Sequence, residues 1–219
     1  GYSDGQGVLL NSSVSKDNFL GTGQRVNAEI NTTKVNTVYS FSFFDPYHTL
    51  EGVSRGIKAY FRETDTSETS IADYTTDIWG GSVNYGIPLS EYDTVRFGLG
   101  YEDIFIETTT FTPQIYRDYL NENDVKFGLT KLTLGWSHDT RNKTVFATRG
   151  MLQSVSTEIT LPGSGLNFYK LHSRTQWYYP LTPLFTASLN GELGYGKAYD
   201  KTTDLPFFEK YYAGGARSV

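Results

Sequence analysis

From Phe168 to Leu181 the chain reads FYKLHSRTQWYYPL, and its chemistry changes at every step. Tyr169, Leu171, Ser173, Thr175, Trp177, Tyr179 and Leu181 fall on one parity, and Phe168, Lys170, His172, Arg174, Gln176 and Tyr178 on the other. A period of two is the signature of a strand with two unlike faces. It repeats almost everywhere. In 94–102, Val95, Phe97, Leu99 and Tyr101 oppose Thr94, Arg96, Gly98, Gly100 and Glu102. In 184–196, Phe185, Ala187, Leu189, Leu193 and Tyr195 oppose Thr186, Ser188, Asn190, Glu192 and Gly194. Further strands are expected over 7–17, 24–33, 37–46, 53–63, 74–88, 125–138 and 150–161. The phase slips near Thr130, where a bulge or a strand start is expected. Helix is expected only as a weak patch at 118–122, with no helix longer than two turns.

Strands of about ten residues are long enough to cross a bilayer when tilted. Connections come in two kinds. Short turns at 18–23, 46–52 and 88–93 alternate with longer polar loops at 62–73, 107–124 and 161–167, the asymmetry of an outer-membrane barrel. With 17 tyrosines and 14 phenylalanines, the chain is rich in rings suited to an oil–water boundary. The faces are therefore assigned in barrel fashion. Val95, Phe97, Leu99, Leu171, Trp177 and Leu189 point outward to lipid. Arg96, Glu102, Lys170, Arg174 and Glu192 point inward, where Gly98, Gly100, Gly194 and Gly196 leave a small, hydrated surface. The expected fold is all-β: an antiparallel transmembrane β-barrel, an up-and-down meander in one domain over 1–219, forming an open sheet. A secreted sandwich or a soluble barrel is the other architecture with this alternation.

Several chemistries are excluded or unsupported. Without cysteine there is no disulfide or thiolate chemistry. A net charge of -5 with no basic block gives no footprint for nucleic acid. No apolar run approaches the ~20 residues of a membrane-spanning helix, and no signal peptide is expected within the residues given. His48, His138 and His172 share no metal-ligand spacing. His138–Asp139 is a candidate acid–base pair, but a strand end followed by a turn explains it as well. No cofactor is expected, and no catalytic cluster of the kind a barrel hydrolase needs is found. One stretch holds more chemistry than a plain turn requires. In SHDTRNKTVFATRG (137–150), Asp139, Arg141, Asn142, Phe146, Arg149 and Gly150 lie close together.

Four stretches resemble the BamA family of outer-membrane β-barrel assembly factors: DNFLGTG (17–23), FFDPYHTLEGVSRG (43–56), WSHDTRN…FATRG (136–150) and PFFEKYYAGGARSV (206–219). In the third, Ala147 stands where a proline is common, and Asp139, Arg141, Asn142, Phe146 and Gly150 carry the turn motif. TamA and the two-partner secretion transporters share weaker versions. The resemblance implies the outer membrane of Gram-negative bacteria and a non-enzymatic protein insertase. Its partners would be the lipid bilayer with lipopolysaccharide, nascent β-barrel clients, and accessory lipoproteins acting mainly through periplasmic POTRA domains. It also implies that the chain holds about eleven of the sixteen strands of a family barrel, without the POTRA domains and the last strands.

Two sites follow from the same resemblance. Gly1, Tyr2 and Ser3 would be what remains of strand one, at a lateral seam that pairs with clients. Gly214, Gly215, Ala216, Arg217, Ser218 and Val219 would lead into a loop that folds into the lumen. Val219 is the first residue of its V-R-G-F/Y motif; Arg217 is a neighbour of the docking arginine and does not inherit its role. A passive porin would share the alternation and aromatic rim but has no use for such a loop.

Overall fold

The structure is a computed structural model, and it describes residues 2–3, 7–66 and 73–211. Two short strands, β1 (Tyr2–Ser3) and β2 (Gly7–Val8), pair with each other. Ten longer strands follow: β3 (Leu10–Lys16), β4 (Arg25–Thr32), β5 (Asn36–Asp45), β6 (Ser54–Asp65), β7 (Tyr74–Pro88), β8 (Asp93–Thr108), β9 (Lys126–Asp139), β10 (Gly150–Thr160), β11 (Phe168–Pro180) and β12 (Thr186–Ala198). They form one ten-stranded sheet in strict chain order, with β3 and β12 at its ends. Each strand pairs with its neighbours in sequence, so the meander expected from the alternation is present. The first strand of the large sheet is Leu10–Lys16. Tyr2 and Ser3, expected as a remnant of strand one, pair with Gly7 and Val8 in a separate two-stranded ladder, and Gly1 lies outside the described residues.

Pairing in register converts the alternation of single strands into rows across the sheet. In the unit built from residues 1–85, 98–131 and 161–166, Val14, Ala28, Phe41 and Ala59 lie in one row, and Ser12, Ile30, Tyr39 and Phe61 in another. The opposite face carries Ser15, Asn27, Ser42 and Lys58, then Ser13, Glu29, Ser40 and Tyr60. The apolar rows are open to the surroundings, and their aromatic rings touch each other. Phe61 meets Tyr39 at 6.3 Å and Trp79 edge-on at 5.3 Å between centroids.

The second unit comprises residues 86–97, 132–160 and 167–219 and repeats the pattern. Met151, Trp177 and Leu189 share a row, as do Thr157, Leu171 and Tyr195. The other face holds Ser154–Arg174–Glu192, Ser156–His172–Gly194 and Glu158–Lys170–Gly196. Trp177 and Arg174 thus lie on opposite faces, as alternation requires. Phe97, Leu171, Trp177 and Leu189 are exposed, which marks a face that water does not stabilise and lipid would.

Two local expectations are overturned. β9 runs unbroken through Thr130 and keeps its phase: Phe127, Leu129, Lys131 and Ser137 are buried, while Leu134 and Trp136 are exposed. The apparent slip arose because the polar face turns apolar at one end, where Ile104, Ile106, Phe127 and Leu129 are fully buried. The loop 161–166 docks there: Gly165 N donates to the Gly128 carbonyl at 2.8 Å, and Ser164 Oγ accepts from Thr130 N at 3.0 Å. The helical patch is also longer than expected. Helix α1 (Gln114–Asn123) has 10 residues, begins after Pro113 and carries a Gln114–Asp118 hydrogen bond of 2.6 Å across one turn. Its Leu120 is buried.

Candidate functional site: the polar face and the arm that returns to it

On the polar face of the first unit, Tyr60 is the centre of a polar bridge across several strands. Its hydroxyl donates to Glu102 Oε1 on β8, and Glu102 Oε2 is held by Lys131 Nζ of β9 at 2.8 Å. To reach Glu102 the Tyr60 side chain crosses β7 over Gly80, where any Cβ would lie 2.3 Å from its Cζ. A glycine in mid-strand normally weakens a sheet; here it is the clearance for a crossing side chain. The Lys58 ammonium lies 5.2 Å and the Arg62 guanidinium 5.7 Å from the centre of the same ring. Lys131 is 8% exposed, and the Glu102 carboxylate gives its ammonium a charged partner in that buried position.

In the second unit the chain leaves β12 and folds back over the polar face of β11 and β12. Tyr199 N donates to the Asn167 carbonyl at 2.9 Å, and Asn167 N donates to Thr202 Oγ1 at 2.8 Å. Leu205 fills the space above Gly196, where a Cβ would meet it at 2.9 Å. The Tyr211 ring lies flat over Gly194, with three ring carbons at 3.0 Å from the Cβ position. Lys170 Nζ contacts Glu209 Oε2 at 2.9 Å and sits 4.8 Å above the Tyr211 ring. Tyr211 Oη donates to the Leu171 carbonyl at 3.2 Å, and its ring stacks on His172 at 6.4 Å. Burial pushes the Tyr211 phenol above its ordinary pKa. His172 Nε2 pairs with Glu192 Oε1 at 2.7 Å. Gly194 and Gly196 are therefore seats for side chains, not the hydrated gaps expected from their size. Residues 206–211 turn onto the polar face of β11 and β12. Gly214, Gly215, Ala216, Arg217, Ser218 and Val219 lie outside the described residues.

Asp139, Arg141, Asn142 and Gly150 shape the β9–β10 turn. Asp139 grips Arg141 at both carboxylate oxygens: Oδ1 accepts from Nε at 2.9 Å and Oδ2 from Nη2 at 2.7 Å. This bidentate pair raises the Arg141 pKa. Asn142 Oδ1 accepts from the Thr148 and Arg149 amides at 3.0 and 3.2 Å. Gly150 has φ 95 and leaves no room for a Cβ against the Thr140 carbonyl. Phe146 has φ 54 and points into the open. His138 turns away from Asp139: its Nδ1 lies 2.9 Å from Asp93 Oδ1, so the acid–base pair read from adjacency is not formed. Sequence reasoning missed two placements: Tyr60 crossing Gly80 to reach the Glu102–Lys131 pair, and Tyr211 over Gly194. The signal available for the first was a tyrosine on a polar parity with a glycine on the next strand, which periodicity alone does not weight. No group of three or more His, Cys, Asp or Glu residues is placed to hold a metal ion among the described residues.

These features were compared with known proteins. The Omp85 superfamily domain matches residues 18–219. The outer membrane protein assembly factor BamA of Neisseria meningitidis serogroup B is 35% identical over 229 residues, covering 100% of this chain and 29% of that protein. BamA of Buchnera aphidicola is 23% identical over 101 residues, 46% of this chain and 16% of that protein. The crystal structure of BamA from Haemophilus ducreyi lacking POTRA domains 1-3 matches with a TM-score of 0.87 at 26% identity, over 99% of this chain and 43% of that one. The chain spans less than a third of the Neisseria protein and less than half of the Haemophilus chain. With its strands in meander order and the family domain matching nearly from end to end, the chain belongs to the Omp85 superfamily.

Proposed function

We propose that this chain is the greater part of a transmembrane barrel that folds and inserts β-barrel proteins into the outer membrane of a Gram-negative bacterium. The observation that carries the reading is the 35% identity to a BamA assembly factor along the whole chain. The open apolar face supports a lipid contact, and the polar face then lines the lumen. The work is non-enzymatic. Clients pair by strand addition at a seam on the N-terminal side of the sheet. That seam comprises Gly1, Tyr2 and Ser3 together with β3, whose free side has no partner strand among the described residues. The turn from Asp139 to Gly150 is a fixed scaffold element of the periplasmic rim.

The barrel domain acts with POTRA domains and further strands of the full-length protein. Its partners are the bilayer with its lipopolysaccharide, nascent barrel clients and accessory lipoproteins. The test is a chimera in which this chain replaces the matching segment of Neisseria BamA, expressed in cells depleted of their own copy. Growth and normal levels of outer-membrane proteins are expected. A chimera that reaches the outer membrane folded, yet leaves client levels as low as depletion does, would sink the reading.

A further inference from the structure

The turns joining β7 to β8, β9 to β10 and β11 to β12 belong to one compact unit. Each displays large apolar side chains. Leu89, Val145, Phe146, Leu181, Leu184 and Phe185 are all exposed, Phe146 at 90% and Leu184 at 89%. Turns that meet bulk water favour Gly, Asn, Asp, Pro and Ser at such positions. Phe146 also has φ 54, a left-handed conformation that bulky residues rarely adopt. The loop around it is fixed by the hydrogen bonds of Asn142 to Thr148 and Arg149. The ring is therefore presented by a folded turn.

These tips continue a surface already open to lipid. Just inside them, the strands carry amphipathic rings: Tyr92 and Trp136 against His138, and Trp177 against Tyr179. Rings of this kind settle at the membrane–water boundary. A tilted strand advances roughly 2.4 Å per residue along the membrane normal. The tip that follows Tyr179 then lies about 10 Å beyond the rings, which is within the reach of the headgroup layer. The β9–β10 turn adds positive charge, with Lys143 and Arg149 exposed on either side of Phe146. Asp93 is bound to Ser90 and His138, and Glu91 is the exposed acid of the β7–β8 turn.

We infer that these three turns form a membrane-docking surface, and that its occupant is the headgroup–acyl boundary of an anionic phospholipid leaflet. The apolar tips insert and the two cations meet lipid phosphates. The inference rests on the membrane reading above only in that the apolar face meets lipid.

The test uses the full-length protein reconstituted in vesicles of phosphatidylethanolamine and phosphatidylglycerol. This chain has no cysteine, so Phe146→Cys, Leu184→Cys, Leu193→Cys and Glu122→Cys can each carry one polarity-sensitive dye once any cysteine elsewhere in the protein is replaced. Leu193 is on the apolar face in mid-strand and reports the membrane reading; Glu122 on α1 reports water. Gel mobility before and after heating confirms that each variant is folded. At 146 and 184, quenching by aqueous iodide should fall at least about threefold relative to 122, with quenching by headgroup-zone nitroxide lipids in its place. At 146 the effect should weaken in neutral phosphatidylcholine and in Lys143→Glu/Arg149→Glu. Iodide access at 146 and 184 equal to that at 122, with 193 still quenched by lipid, overturns the docking surface and leaves the membrane reading standing. Loss of lipid quenching at 193 overturns both. Shielding that appears only when another protein is added overturns the lipid occupant.

Discussion

Replacing Gly194 with valine should unseat the returning arm without weakening the strand that carries it. A Cβ at this position falls 3.0 Å from three carbons of the Tyr211 ring, against an ordinary carbon–carbon contact of about 3.5–4.0 Å. A β-branched side chain cannot rotate out of the way, so the ring must lift. Three interactions leave with it: the hydrogen bond to the Leu171 carbonyl at 3.2 Å, the Lys170 ammonium at 4.8 Å and the stacking on His172 at 6.4 Å. Tyr211 is 42% exposed, so each is taken at the low end of its range, and together they amount to about 1.5 kcal/mol. That corresponds to a roughly 12-fold rise in the undocked population. Valine is the better strand former and favours β12 itself. The assay is trypsin cleavage after Lys210 in the folded, membrane-embedded protein, where the rate follows the open population. Gly194→Ala should fall between wild type and Gly194→Val. Gly191→Val is the control, because nothing lies within 4 Å of its Cβ position. An unchanged cleavage rate in Gly194→Val, or an equal rise in Gly191→Val, would refute the seat.

Three further outcomes are expected. Lys131→Met leaves Glu102 on a largely buried site with the Tyr60 hydroxyl alone; it should destabilise by about 2–4 kcal/mol, and Glu102→Gln in the same chain should restore most of that, read from the urea midpoint of heat-modifiable mobility. Gly150→Ala has to place a Cβ against the Thr140 carbonyl at φ 95, and should lower stability by roughly 2–4 kcal/mol on the same assay. Leu193→Arg puts a charge on the apolar face in mid-strand and should cost about 2–4 kcal/mol for folding into vesicles, whereas Gln176→Arg on the polar face should be tolerated; equal effects at the two sites would mean that the faces are misassigned.

Period-two alternation sufficed to place all ten long strands and to sort Arg96, Glu102, Lys170, Arg174 and Glu192 from Val95, Phe97, Leu99, Leu171, Trp177 and Leu189. It works because each strand separates two solvents, so parity alone carries the face. It failed where that premise fails. Around Ile104, Ile106, Phe127 and Leu129 the polar face becomes a packed apolar interior, both parities read as hydrophobic, and β9 seemed to change phase. The partners of the site were hidden for a different reason. Asp93 to His138 and Tyr60 to Glu102 are meetings between residues more than forty positions apart, and local pattern holds no record of them. Gly80 and Gly194 looked like empty positions because the side chains that fill their space come from elsewhere in the chain.

The seat of the returning arm is shared between two strands, and this gives the arm a place in time. Lys170 and His172 come from β11, while Gly194 and Gly196 come from β12. Neither strand offers a seat by itself. A slip of one residue in their pairing turns Gly194 and Gly196 to the other face and presents Leu193 and Tyr195 to the incoming ring. The arm can therefore close only onto a hairpin that has already zipped correctly. Its closure marks the end of that step, and a mispaired hairpin is left uncovered, still free to unzip and try again.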